Sequence, residues 1–198
     1  MTAPKSSPLG KPLPMNSKAV SILTDPHPCG HIVYPYTKES QVAEAVFLFT
    51  SAGLRKNEAV LLIMTKGHCG PIRQRLQAEG FDVAVLEAKG QLVCEVAEDL
   101  LSSFLVGGKL DEHRFKRTIS GMIERAKQAG GNRPVRVFGE MVTLLWQPNP
   151  WATERLEELW NEVIEAHSVP LLCAYALAGT KPGAFPQSLV ACHSHAVA

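Results

Sequence analysis

Histidine and cysteine fall close together at two places, His27-x-Cys29-x-His31 and Cys192-His193-Ser194-His195. Both runs offer ligand types suited to zinc. Neither has the paired-ligand spacing of a structural zinc site, so no metal or other cofactor is expected from either run taken alone. Nucleophilic catalysis needs a thiol or hydroxyl beside a base that a third group orients. Cys94 and Cys173 sit in apolar runs, where a thiol is ordinarily core filling. Cys69 in Lys66-Gly-His-Cys-Gly70 is better placed, flanked by glycine and next to a histidine. A phosphate cradle would need glycines after the first strand and then Lys-Ser/Thr. Pro35-Tyr-Thr-Lys-Glu-Ser40 has none and adds Glu39, so nucleotide binding there is not expected. Arg136 lies between Val135 and Val137, in a run that should be buried, and a buried guanidinium must be paired. Glu140, Glu157 and Glu158 are its candidate partners.

The elements that would position these residues follow from periodicity and caps. His31–Tyr34 reads as a short strand. Val42, Ala45, Val46, Phe49 and Leu54 recur at helical spacing. Ala59–Met64 is a continuous apolar run, as in a strand buried on both faces. Pro71–Glu79 reads as a helix closed by Gly80. Val83–Leu86 and Leu92–Glu95 are strand candidates, residues 96–106 a helix ending at Gly107-Gly108, and Asp111 the cap of a helix to Ala129. Val135–Phe138 is a strand. Asn149-Pro150 opens a helix whose apolar face is Leu156, Leu159, Trp160, Val163 and Ile164. Pro170–Tyr175 is the last clear strand. Alternating strands and helices predict an α/β domain with a mainly parallel sheet covered on both faces, a three-layer architecture. Residues 1–26 hold five prolines and are expected to be a flexible tail, leaving 27–198 as the domain.

Composition narrows the function. The chain has 198 residues, 45% of them apolar, with 20 basic against 19 acidic side chains for a net charge of +1. There is no field to draw in nucleic acid or an anionic membrane, and no apolar run approaches the roughly 18 residues a membrane span needs. The N-terminus lacks a signal-peptide core. Five scattered cysteines suit reduced thiols. A cytoplasmic protein is expected, with no direct nucleic-acid or membrane partner.

In such sheets ligands bind beyond the carboxyl ends of the strands. Tyr36, Glu140, Cys173 and Tyr175 all lie near such ends, and they point to one aromatic-walled pocket with a few polar groups. Here the residues resemble a known family. Val135-Arg-Val-Phe-Gly-Glu-Met-Val-Thr-Leu-Leu-Trp146 is similar to a block of the MEDS sensory domains of bacterial and archaeal signalling proteins. Four further blocks agree in order. They are His31-x-Val-x-x-Tyr36, Gly53–Val60, Arg155-Leu-Glu-Glu-Leu-Trp-Asn161, and Leu172-Cys-Ala-Tyr175 with His193-Ser-His195. The resemblance spans His31 to His195. It implies a RecA-like fold without its phosphate loop, a sensory role toward hydrocarbon derivatives, and output through a histidine kinase or regulator protein. The expected ligand-binding constellation is His31, Tyr36, Arg136, Glu140, Trp160, Asn161, Cys173, Tyr175 and His195, with no catalytic residue. The rival readings are a thiol-dependent enzyme using Cys69 or Cys173, and a structural interaction protein.

Overall fold

The computed structural model describes residues 15–177, 179–180 and 185–197. The chain runs α1 (Ser17–Thr24), β1 (His31–Tyr36), α2 (Glu39–Arg55), β2 (Ala59–Met64), α3 (Lys66–Ala78), α4 (Val83–Ala88), β3 (Leu92–Val96) and α5 (Ala97–Phe104). There follow β4 (Leu105–Val106), β5 (Lys109–Leu110), α6 (Glu112–Gln128), β6 (Val135–Gly139), α7 (Met141–Leu145), α8 (Pro150–His167), β7 (Leu171–Ala176), α9 (Gln187–Ala191) and β8 (His195–Ala196). Six strands form one parallel sheet in the order β3-β2-β6-β7-β1-β8. Helices cover both faces, so the expected three-layer α/β architecture is what forms. Every residue of β2 is buried, as its uninterrupted apolar run requires. No helix among the described residues is long and apolar enough to cross a membrane.

Strand alternation divides the core in two. Val33, Leu61, Ile63, Val137, Cys173 and Tyr175 face α5–α9, while Ile32, Tyr34, Tyr36, Leu62, Phe138 and Leu172 face α1–α4. The register pairs Val33 with Cys173 and Val137 with Leu171, so odd-numbered residues of these three central strands share the α8 face.

Four expectations are corrected. Val83–Leu86 is helical, not a strand: Asp82 caps it by accepting from the Val85 amide, and β3 takes the sheet edge instead. A four-residue apolar run does not by itself distinguish the two. The helix read as starting at Pro71 begins at Lys66, which puts His68 and Cys69 in its first turn rather than on a loop. Of the supposed flexible tail, residues 1–14 lie outside the described residues, but Ser17–Thr24 is a helix. Asn16 caps it, and Ala19 and Leu23 bury it against α2. The predicted helix over 96–106 stops at Phe104, because Gly107 and Gly108, at φ +56° and +77°, turn the chain into the β4–β5 hairpin.

Candidate functional site

The residues named from the sequence do not converge on one pocket; they separate into three places. The first lies under α8. Its floor is His31, the first residue of β1, and Cys173, mid-way along β7. Its roof is Glu157, on the inner face of α8, and His193, which follows α9. The His31 side chain is 3% exposed, and those of Glu157 and His193 are 0% exposed. The His31 Nε2 lies 3.3 Å from the Cys173 Sγ and 3.2 Å from the Glu157 Oε2. His193 Nε2 is 3.4 Å from the Glu157 Oε1 and has no hydrogen-bond partner.

Neighbouring groups fix the protons of this cluster. Asn161 donates its Nδ2 to the Cys192 carbonyl at 3.1 Å, which turns its Oδ1 toward His31. His31 Nδ1–H donates to that oxygen at 2.8 Å. His193 Nδ1–H donates to the Leu189 carbonyl at 2.6 Å. Both imidazoles therefore spend Nδ1 outward and aim Nε2 at the centre. The Tyr175 hydroxyl donates to the Glu157 carboxylate. Burial opposes ionisation of Glu157, and an Nε2 proton on His193 or His31 is what would hold its carboxyl well below the usual carboxylate range. Burial, then the Glu157 charge, pushes the Cys173 thiol and the Tyr175 phenol well up. An aromatic wall adjoins: Tyr175 meets Phe185 at 4.9 Å and Trp146 at 6.4 Å between centroids, both edge to face.

The second place lies at the carboxyl ends of β1, β2 and β6. Glu140 follows β6, and its fully buried carboxylate accepts from the Thr65 amide (2.8 Å), the Thr65 hydroxyl (3.1 Å) and His68 Nδ1 (2.6 Å). The anion thus sits on the N-terminus of α3, where the helix dipole favours it. The other nitrogen of His68 pairs with Glu39, whose side chain is 75% exposed. The Glu140 hydrogen bond, against the opposing effect of burial and with help from Glu39, raises the His68 pKa to about 9. Burial, then the charges of Glu140 and Glu39, pushes the Tyr36 phenol up. The β1–α2 loop has no free cradle: Gln41 Oε1 accepts from the Thr37 amide (3.1 Å) and the Lys38 amide (2.9 Å).

The third place is Arg136, on the α2 face near the amino end of β6. Its partner is none of Glu140, Glu157 and Glu158 but Glu58, at 2.5 Å, with the Phe49 carbonyl at 2.8 Å. Gly53 makes room for it: a Cβ there would stand 2.5 Å from the Arg136 Nε. Trp160, 1% exposed, packs edge-on against Phe115 in the core. His195 lies on the edge strand opposite Ile32 and bonds Ser194; His193 takes the place in the cluster expected for it. Tyr36 and Tyr175 lie on opposite faces of the sheet, so no single pocket holds both.

Sequence reasoning missed Glu157 as a site residue, and with it His193, His68 and Thr65. The signal for Glu157 was its helical phase: it lies on the same face of α8 as Trp160 and Ile164, three and seven residues on, inside the apolar stripe. Cys69 gains no base from its neighbour. His68 is engaged by two carboxylates, the Cys69 Sγ lies 3.5 Å from the Thr65 carbonyl, and burial pushes the thiol up.

A three-layer α/β domain with a sealed acid–histidine–thiol cluster under one helix layer is the class these features define. The family model for MEDS, the MEthanogen/methylotroph, DcmR Sensory domain, matches residues 30–194, and the chain belongs to that family of sensory domains. Comparison with curated proteins gives no match.

Proposed function

We propose that the chain is a ligand-reading module of bacterial or archaeal signalling or transcriptional regulation, binding a small, weakly polar hydrocarbon derivative beneath α8 and α9. The observation that carries this reading is the meeting of Trp146, Tyr175 and Phe185 beside a sealed polar cluster, with the Tyr175 hydroxyl tied to Glu157. Aromatic faces offer an apolar wall, and the hydroxyl and carboxylate fix orientation. Leu189 and His193 close the site from the α9 segment, which runs on into β8. A ligand that enters must shift that segment, and such a shift is a differential interaction able to bias two states. Thiols pushed up by burial support binding over thiol catalysis. Output through a partner protein is supported by Trp151, 87% exposed at the edge of a groove of about 640 Å³ with Lys109, Glu112 and Arg155.

Saturation-transfer NMR on the full chain tests the ligand reading, with dichloromethane, methanol and short-chain aldehydes and carboxylic acids as probes. One chemical class is expected to bind, to weaken at least tenfold with Tyr175→Phe, and to be indifferent to Cys69→Ser. Turnover of a probe that Cys69→Ser or Cys173→Ser abolishes, with the fold intact, makes the protein an enzyme and overturns the reading.

A further inference from the structure

We infer that His31, Glu157, Cys173 and His193 form a binding centre for one divalent, zinc-type transition-metal ion. The four offer one nitrogen each from two imidazoles, one carboxylate oxygen and one sulfur, and these atoms all lie within 4.8 Å of one another. Zinc bonds of about 2.0–2.3 Å at tetrahedral angles place neighbouring ligand atoms roughly 3.3–3.7 Å apart. Three of the separations, those among His31 Nε2, Cys173 Sγ and Glu157 Oε2, are already 3.2, 3.3 and 3.7 Å, and His193 Nε2 lies 3.4 Å from the other carboxylate oxygen, Oε1. The widest must close by about 1 Å.

The proton arrangement argues the same way. Asn161 and the Leu189 carbonyl each take an Nδ1–H, so in the neutral rings both Nε2 atoms present lone pairs to a carboxylate that also carries lone pairs. His193 Nε2 is buried and without a partner, aimed into that centre. Three converging acceptors with one thiol proton and one tyrosyl proton among them lack a positive centre, and a cation supplies it. Outward Nδ1 hydrogen bonds are the usual second layer that orients metal-bound histidine. On binding, the Cys173 thiol releases its proton to solvent, and the carboxylate and thiolate together cancel the two charges of the ion. A neutral centre is what a site with this burial tolerates. The sulfur and imidazoles select zinc, cobalt or ferrous iron over magnesium or calcium. The spacing within each terminal His/Cys run argues against zinc; the fold instead takes one residue from each run and adds two from α8 and β7.

The inference uses the same place as the proposed sensory site but needs no sensed molecule. A failed uptake of metal leaves ligand binding open, and a failed ligand screen leaves metal stoichiometry standing. The full chain, stripped with a chelator and shown folded by circular dichroism, is titrated with Zn²⁺ and, separately, Co²⁺. One equivalent is expected to bind. The cobalt form should show the visible bands of a tetrahedral ion and a thiolate-to-cobalt charge-transfer band that Cys173→Ser removes. Asn161→Ala, which frees the His31 ring, should weaken affinity about 10–100-fold. His195→Ala and Cys29→Ala should change nothing. Zinc-edge X-ray absorption of the unaltered protein, which needs no variant to fold, should report one sulfur and two imidazoles. A folded chain that takes up neither ion overturns the inference. So does a zinc site without sulfur, or uptake that depends on His195 or Cys29 instead of Cys173.

Discussion

Two acid–histidine clusters flank the same sheet, built from the same residue types, and they differ in where the protons can be. Under α8, each imidazole gives its Nδ1–H to a neutral oxygen and turns Nε2 inward toward Glu157. At the carboxyl ends of the strands, His68 stands between two carboxylates, Glu140 and Glu39, and both of its nitrogens are needed as donors. The first arrangement gathers lone pairs and suits a cation or a polar ligand tip. The second holds a proton and suits a lock between α2, α3 and the end of β6. Burial separates them further. The side chains of the first cluster are 3% exposed or less, whereas Glu39 is largely hydrated, so charge at the second is screened on one side.

The largest test of this difference is the loss of each buried carboxylate in metal-free protein. Glu157→Ala takes the acceptor from the Tyr175 hydroxyl and leaves a buried void between His31, His193 and Cys173. It should cost about 3–5 kcal/mol in urea unfolding. Glu140→Ala removes three hydrogen bonds, but α3 can recruit water at its exposed first turn, and about 1–3 kcal/mol is expected. Equal costs, or a larger one for Glu140, would erase the distinction drawn between a sealed and a hydrated cluster.

Arg136 supplies a reference that belongs to neither cluster. Arg136→Ala strands Glu58, whose side chain keeps 17% exposure and can draw in water, so about 3 kcal/mol of lost stability is expected. Arg136→Met should cost less, because its side chain still fills the space that the Arg136 stem occupies against Gly53. The ligand probes above should bind either variant unchanged as long as it folds. A changed probe affinity would join Arg136 to the site from which its position on the α2 face separates it.

The sequence made β1, β2, β3, β6 and β7, the long helices and the buried state of Arg136 legible, because apolar runs, Asn149-Pro150 and Asp111 are local signals, but it misread Val83–Leu86 and passed over the two-residue strands. The partition of the site was only half legible. His31 and Tyr36 are five residues apart in one strand, so period-two alternation already sends them to opposite faces. That conclusion needs β1 to run unbroken through Pro35, and a proline in a strand ordinarily argues against it. Across strands, which face Cys173 shares with His31 depends on register, which no local pattern carries. His193 over His195 was undecidable for the same reason: the edge strand β8 sets which of them turns inward. The start of α3 at Lys66 is likewise tertiary, since Glu140 and Glu98 from elsewhere satisfy the amides of its first turn.

The proton lock predicts a pH dependence that the sealed cluster does not share. The His68 pKa is raised to about 9 in the fold against 6.5 unfolded. Its contribution is therefore complete below about pH 6.5 and fades as pH rises through 9. Discounting the hydrated Glu39 side, the loss is on the order of 2 kcal/mol. Unfolding free energies from pH 6 to 10 should show this decline, and His68→Asn should flatten it while lowering stability at pH 6. An unchanged slope in His68→Asn would mean that the tyrosines or thiols, not His68, set the alkaline limit.

The smallest effect divides the lock itself. Glu39 is exposed and reaches His68 from the start of α2, whereas Glu140 is buried and reaches it from the end of β6. If the buried partner does most of the holding, Glu39→Gln should change stability at neutral pH by only about 0.5 kcal/mol, as for an exposed pair. It should lower the His68 pKa without returning it to 6.5, because the Glu140 hydrogen bond is the largest cause of the shift. Following the His68 ring signals by NMR across the same pH range reads this directly. The residual elevation should also be insensitive to salt, since the Glu140 pair is shielded from counterions while the Glu39 pair is not. A His68 that titrates at 6.5 once Glu39 is neutralised would place the holding charge at the hydrated partner, and with it the contrast between a screened and a buried arm of the lock would fail.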